Sequence, residues 1–108
     1  MGAIKPDTYT EIQENLATIA RALGHPARIS ILQELGNQQS CQCGQLAETM
    51  GLAQSTVSQH LKELKNAGII KGSIDETRTC YCLSAEKLNE LIGFLSQFLK
   101  NEIQDNCC

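Results

Sequence analysis

Six cysteines stand in this 108-residue chain, and they fall in three close pairs: Cys41 with Cys43, Cys80 with Cys82, and Cys107 with Cys108. Three chemistries use thiols at such spacing. A free cysteine is a small apolar residue that fills cores. Thiolates are soft ligands that select Zn(II), Cd(II), Cu(I) and similar ions, and As(III) and Sb(III) share that preference. Neighbouring thiols also form disulfides, or one resolves a sulfenic acid formed on the other. Three pairs in one small chain point away from core filling. One Cys-x-Cys unit brings two ligands. Two such units that meet bring four, the number of a closed tetrahedral site. Cys41, Cys43, Cys80 and Cys82 are therefore the candidate metal or metalloid ligands, with Cys107 and Cys108 as further candidates. The redox reading draws on the same residues.

Composition frames that choice. No run of about 18 or more apolar residues is present, so no membrane span is expected. The opening residues, MGAIKPDTYTEIQE, lack the pattern of a secretory signal. The expected location is the cytoplasm, where thiols are kept reduced, which favours metal or redox chemistry over a disulfide scaffold. A net charge of −3 argues against a wholly basic surface but allows a local basic stripe. Two Tyr, two Phe and no Trp leave little for stacking single-stranded bases. No nucleophile elbow, phosphate loop or metalloprotease helix is found, so the chain reads as a non-enzyme.

The elements that must position the thiols follow from periodicity. Residues 8–23 carry Tyr9, Ile12, Leu16, Ile19, Ala20 and Leu23 at helical spacing. Pro26 opens a second helix over 26–35, where its missing N–H is not needed. Residues 44–50 form a short helix, GLA a tight turn, and residues 54–67 a longer helix with Val57, Leu61 and Leu64 on one face. Gly68 is a natural stop. IIKGSI and RTCYCLS, around Asp75, Glu76 and Thr77, predict a β-hairpin. Residues 85–103 place Leu88, Leu91, Ile92, Leu95, Phe98 and Leu99 close to a heptad seam. Short helix, turn and second helix make a helix-turn-helix, and the hairpin makes it winged. The expected fold is mainly α with a small β-hairpin wing. It is one domain over 1–108, dimerised through its first and last helices, with a short tail ending in cysteines.

The outer face of the 54–67 helix then presents Gln54, Ser55, Thr56, Ser58, Gln59 and Lys62. Gln pairs bidentately with adenine, and Ser and Thr contact bases or phosphates in the major groove. Lys62, Lys65, Lys71 and Arg78 are the candidate phosphate contacts that set register.

RALGHPARISILQEL (21–35), LAETMGLAQSTVSQHLKELKNAGII (46–70) and the wing ending YCLS resemble the ArsR/SmtB family of winged-helix repressors, over roughly residues 14–84. The resemblance implies a homodimer on a near-palindromic double-stranded operator, released when a metal ion, metalloid or other inducer binds. By position it puts Gln54, Ser55, Thr56, Ser58, Gln59 and His60 in the recognition helix, and His25 in a structural GHP turn. Ala53 stands where family members often carry a capping Ser, a loss of about 1 kcal/mol.

The family's arsenic-responsive members carry Cys-Val-Cys-Asp-Leu at the start of the short helix. SCQCGQLAE is similar, but two residues, Gly44 and Gln45, separate Cys43 from Leu46 where that motif has one. Its third Cys falls at Ala47. The zinc-sensing Asp and His pairs of the last helix have no counterpart in 85–103, and the second-helix Cys of polysulfide sensors falls at Gln33. Winged helices often pair the segment before the short helix with the second wing strand, here Ser40–Cys43 beside Thr79–Leu83. Residues two apart on a strand share a face, so four thiols cluster if the two faces match. The expected function is a repressor released by a thiophilic ion: As(III) or Sb(III), Cd(II), Zn(II) or Cu(I). The alternatives are a thiol-redox-responsive repressor using the same cysteines and, more distantly, a protein-interaction module without DNA binding.

Overall fold

The computed structural model describes residues 8–37, 41–75 and 78–101, with residues 73–75 and 78 given by backbone alone. The order is α1 (Glu11–Leu23), α2 (Pro26–Gly36), α3 (Cys43–Met50), α4 (Gln54–Asn66), β1 (Ile70–Asp75), β2 (Arg78–Leu83) and α5 (Ala85–Asn101). The strands pair antiparallel from Ile70↔Leu83 to Asp75↔Arg78. This is the expected winged helix-turn-helix. Among the described residues no helix is long and apolar enough to cross a membrane.

Local chemistry sets the boundaries. α1 starts three residues later than its apolar pattern because Thr10 caps it. Thr10 Oγ1 accepts from the Gln13 backbone N–H at 3.1 Å, and Gln13 Oε1 accepts from the Thr10 N–H at 2.9 Å, a capping box. α3 starts one residue earlier than expected and takes in Cys43. Gln45 Oε1 accepts from the N–H groups of Cys41 and Gln42 at 3.3 and 3.2 Å, which stabilises the turn into the helix. α4 ends where Gly68 takes φ +79. There the N–H of Gly68 bonds Lys65 O at 2.9 Å and that of Ile69 bonds Leu64 O at 3.1 Å. This is the paired closure that a left-handed residue makes possible.

The core gathers one face from each of α1 to α4 and the foot of β1. Ile31, Leu46, Val57, Leu64 and Ile69 are 0 % exposed, and Ile19 and Leu61 are 1 % exposed. Each such side chain contributes about 1.5–3 kcal/mol by leaving water. α5 packs on α1, and only Leu88 and Leu91 reach the core cluster. None of its described residues is buried. Leu61→Ala is expected to lower unfolding free energy by about 2–5 kcal/mol. Gln59→Ala, on the opposite face, is expected to stay within about 0.5 kcal/mol. Urea unfolding followed by circular dichroism checks both.

Candidate DNA-reading face and thiol site

With Val57, Leu61 and Leu64 buried, α4 turns Gln54, Ser55, Thr56, Ser58, Gln59 and Lys62 to solvent. Lys65 and Lys71 are also exposed. The Lys65 ammonium reaches back over the wing, and a Cβ built on Gly72 would stand 3.5 Å from its Nζ. Gly72 lies opposite Tyr81 in the ladder, and the same Cβ would come within 3.3 Å of the Tyr81 ring. The glycine therefore lets the ring and the lysine chain lie close to the strand. Arg78 is in β2, but its side chain lies outside the described residues.

His60 departs from the rest of the expected DNA-contacting set. It is half-buried, and its ring lies 4.5 Å from that of His25, tilted by 56°. Its Nδ1 accepts from Arg28 Nε at 3.2 Å. Arg28 also donates through Nη1 to the carbonyls of Ala22 and Arg21 at 3.3 and 3.4 Å, in the last turn of α1, where carbonyls run out of intrahelical donors; the Arg21 carbonyl also accepts from the Gly24 N–H at 3.1 Å. One guanidinium thus joins the end of α1, the start of α2 and the middle of α4. His25 caps α2, its Nδ1 accepting from the Ala27 N–H at 3.1 Å. Sequence reasoning missed Arg28. Its signal was present in HPAR, an arginine one helical turn after a capping histidine.

The thiols divide. Cys41 lies beside β2, where its carbonyl accepts from the Tyr81 N–H at 2.9 Å. The strap ahead of α3 therefore meets the second wing strand as expected. Cys41 and Cys80 are joined by a disulfide, with Cα atoms 4.8 Å apart. The face match that the sequence left open is therefore met for this one pair.

Cys43 does not share the face of Cys41. It is the first residue of α3 rather than part of an extended strand, so the alternation of a strand does not apply to it. Its Sγ donates to the Gln54 carbonyl at 3.5 Å, and burial pushes its thiol above the ordinary value of 9.0. Gly44 fits beneath the same residue, since a Cβ there would stand 3.1 Å from Gln54 Nε2. Cys82 is exposed. Among the described residues, no three His, Cys, Asp or Glu side chains converge as a metal group would require. Cys107 and Cys108 lie outside the described residues.

The Arg28 junction generates two expectations. Burial first, then the charges of His25 and Arg28, hold the His60 pKa below the ordinary 6.5. The unfolded chain therefore takes up this proton first as pH falls. The stabilising contribution is complete above pH 6.5 and declines as pH drops through 6.5 toward the folded value. Denaturant unfolding between pH 8 and 5 is expected to show a shallower decline for His60→Asn than for the native chain. Arg28→Ala removes the donor to His60 and to the α1 carbonyls, and is expected to cost about 1–3 kcal/mol in the same assay at pH 8.

The sequence and fold have known relatives. Residues 25–71 match the family described as "Bacterial regulatory protein, arsR family". The chain is 34% identical over 99 residues to the HTH-type transcriptional regulator CmtR of Mycobacterium tuberculosis H37Rv, spanning 91% of this chain and 83% of that protein. An ArsR-like transcriptional regulator from Rhodococcus sp. RHA1 superposes with a TM-score of 0.76 at 22% identity, over 84% of this chain and 85% of that one. The DNA-binding domain Mb0332 of Mycobacterium bovis, solved in solution as a homodimer, superposes at 0.68 with 21% identity, over 99% and 98%. The fold, the polar face of α4 and the extent of the match to CmtR lead to one conclusion: the chain belongs to the ArsR family of winged helix-turn-helix transcriptional regulators, DNA-binding proteins rather than enzymes.

Proposed function

We propose that this chain is the subunit of a homodimeric repressor that reads a near-palindromic duplex operator and leaves it when a thiophilic metal or metalloid ion binds its cysteine thiolates. The observation that carries the DNA reading is the row Gln54, Ser55, Thr56, Ser58, Gln59 and Lys62, exposed along a helix whose opposite face is fully buried. Lys62, Lys65, Lys71 and Arg78 supply phosphate contacts. His60 acts behind that face, steadying α4 through Arg28. The protein acts in the cytoplasm, where the operator lies.

Dimerisation rests on the apolar surface of α1 and α5. Ile12, Ile92, Leu95, Phe98 and Leu99 are 44–68 % exposed, and an apolar patch of this kind marks an interaction surface. A second copy of α1 and α5 covers it and spaces two α4 helices about 34 Å apart, one turn of duplex.

Cys41 and Cys80, once reduced, are the two sulfurs already close enough to share an ion. Their softness suits As(III), Sb(III), Cd(II) and Cu(I), and suits Zn(II) among harder ions. A third or fourth sulfur has to come from Cys43, Cys82, Cys107 or Cys108. Recruiting Cys43 means giving up its contact with Gln54, the first residue of α4, and that loss is a direct route from ion to DNA-reading helix. Release requires the ion to bind the DNA-free form better than the DNA-bound form.

Anaerobic gel shifts on operator DNA test this. Arsenite or Cd(II) is expected to release the native protein. Cys41→Ser/Cys80→Ser is expected to bind the operator normally and to resist release. Normal release of that double variant by both ions would overturn the site. Lys62→Ala is expected to weaken binding across sequences and reduce the slope of log affinity against log salt by about 1. A chain without DNA function would show no salt-dependent affinity for any duplex.

A further inference from the structure

We propose that Cys41 and Cys80 also form a reversible oxidation site, and that their disulfide and an ion bound by their thiolates are mutually exclusive. The oxidation site stands on its own geometry; the exclusion rests on the ion reading above. The two residues lie 39 positions apart in sequence, yet their Cα atoms are 4.8 Å apart, within the range a disulfide spans. They are brought together by the backbone bond from Tyr81 N–H to Cys41 O, which does not depend on the sulfurs. A reduced pair therefore stays in register and ready to close again. Both residues are half-buried rather than sealed in the core, which leaves a path for a small oxidant.

The oxidant is a hydroperoxide, and the electrons balance in two steps. One thiolate attacks the peroxide O–O bond, giving a sulfenic acid and an alcohol or water. The second thiol attacks the sulfenic sulfur, so the S–S bond forms, the S–O bond breaks, and water leaves with the remaining proton. Two thiols and one peroxide give one disulfide, one alcohol or water, and one water. A dithiol reductant reverses the change. Of the other described thiols, Cys43 is held at Gln54 O, and Cys82 is exposed and free.

The consequence follows from ligand chemistry. A thiolate is the metal ligand, and a disulfide offers none. Oxidation of this one pair therefore removes the two sulfurs on which the ion site depends. An ion already held there ties up both nucleophiles and slows their oxidation.

The test uses the full chain, purified anaerobically and kept reduced. Stoichiometric hydrogen peroxide is followed by alkylation, proteolysis and mass spectrometry. The expected result is a Cys41–Cys80 linked peptide, the loss of two free thiols per chain, and full recovery of both with dithiothreitol. Oxidation of other thiols while Cys41 and Cys80 stay alkylatable, or a linkage that dithiothreitol cannot reopen, would overturn the oxidation site. In parallel, arsenite and Cd(II) content is measured after desalting. The oxidised chain is expected to retain no more ion than Cys41→Ser/Cys80→Ser, and ion-loaded chain to form the linkage more slowly than reduced chain. Equal ion uptake by reduced chain and by mapped disulfide chain would overturn the exclusion. If reduced chain takes up neither ion, the exclusion and the ion reading fall together, and the oxidation site is still judged by the linked peptide.

Discussion

The polar face of α4 proposed to read DNA depends on the burial of three side chains. Val57, Leu61 and Leu64 leave no appreciable surface to solvent, and their spacing of four and three residues sets the roll of α4 about its own axis. A helix rolled by one residue would bring polar groups into the core, where they would lack partners. Fixing the inner stripe therefore fixes the outer one, and the exposed row from Gln54 to Lys62 is the geometric remainder. Ile31, Leu46 and Ile69, equally buried, supply the surface against which that roll is locked.

Around this helix the structure places two polar ties of different kinds. One is Arg28, which reaches His60 on α4 and the closing carbonyls of α1. α1 carries part of the proposed dimer surface, so this guanidinium links that surface to α4. The other is the strap ahead of α3. Cys41 is bonded to the wing through both its backbone and its sulfur, while Cys43 touches the first residue of α4. Within three residues the strap meets both the wing and α4, the two elements proposed to contact DNA. In the proposed reading, thiol chemistry there acts on wing and helix together, which gives a physical reason for cysteines to stand at these positions.

Much of this was legible in the sequence because it rests on local rules. Apolar periodicity located five helices, and Gly68 marked the end of α4. The alternation in RTCYCLS located the second wing strand. The errors sit where side chains reach beyond the repeat. Thr10 and Gln13 delay α1 by capping it. Gln45 draws Cys43 into α3, which removes Cys43 from the strand-like face it was expected to share with Cys41. Arg28 escaped notice because an arginine in a short helix is ordinarily a solvated charge, and its three partners come from two other helices.

By itself, then, the sequence determined the order of elements, the polar face of α4 and the pairing of strap with wing, since each follows from spacing along one stretch of chain or from family resemblance. Only the tertiary structure decided which thiols meet. Cys41 and Cys80 are 39 residues apart, and whether their side chains face one another depends on the register of the strap against β2 and on where α3 begins. Both are set by contacts that close only when distant segments pack. The same packing turned His60 inward and Cys43 toward Gln54, because the nearest hydrogen-bonding groups to each lie on a different element.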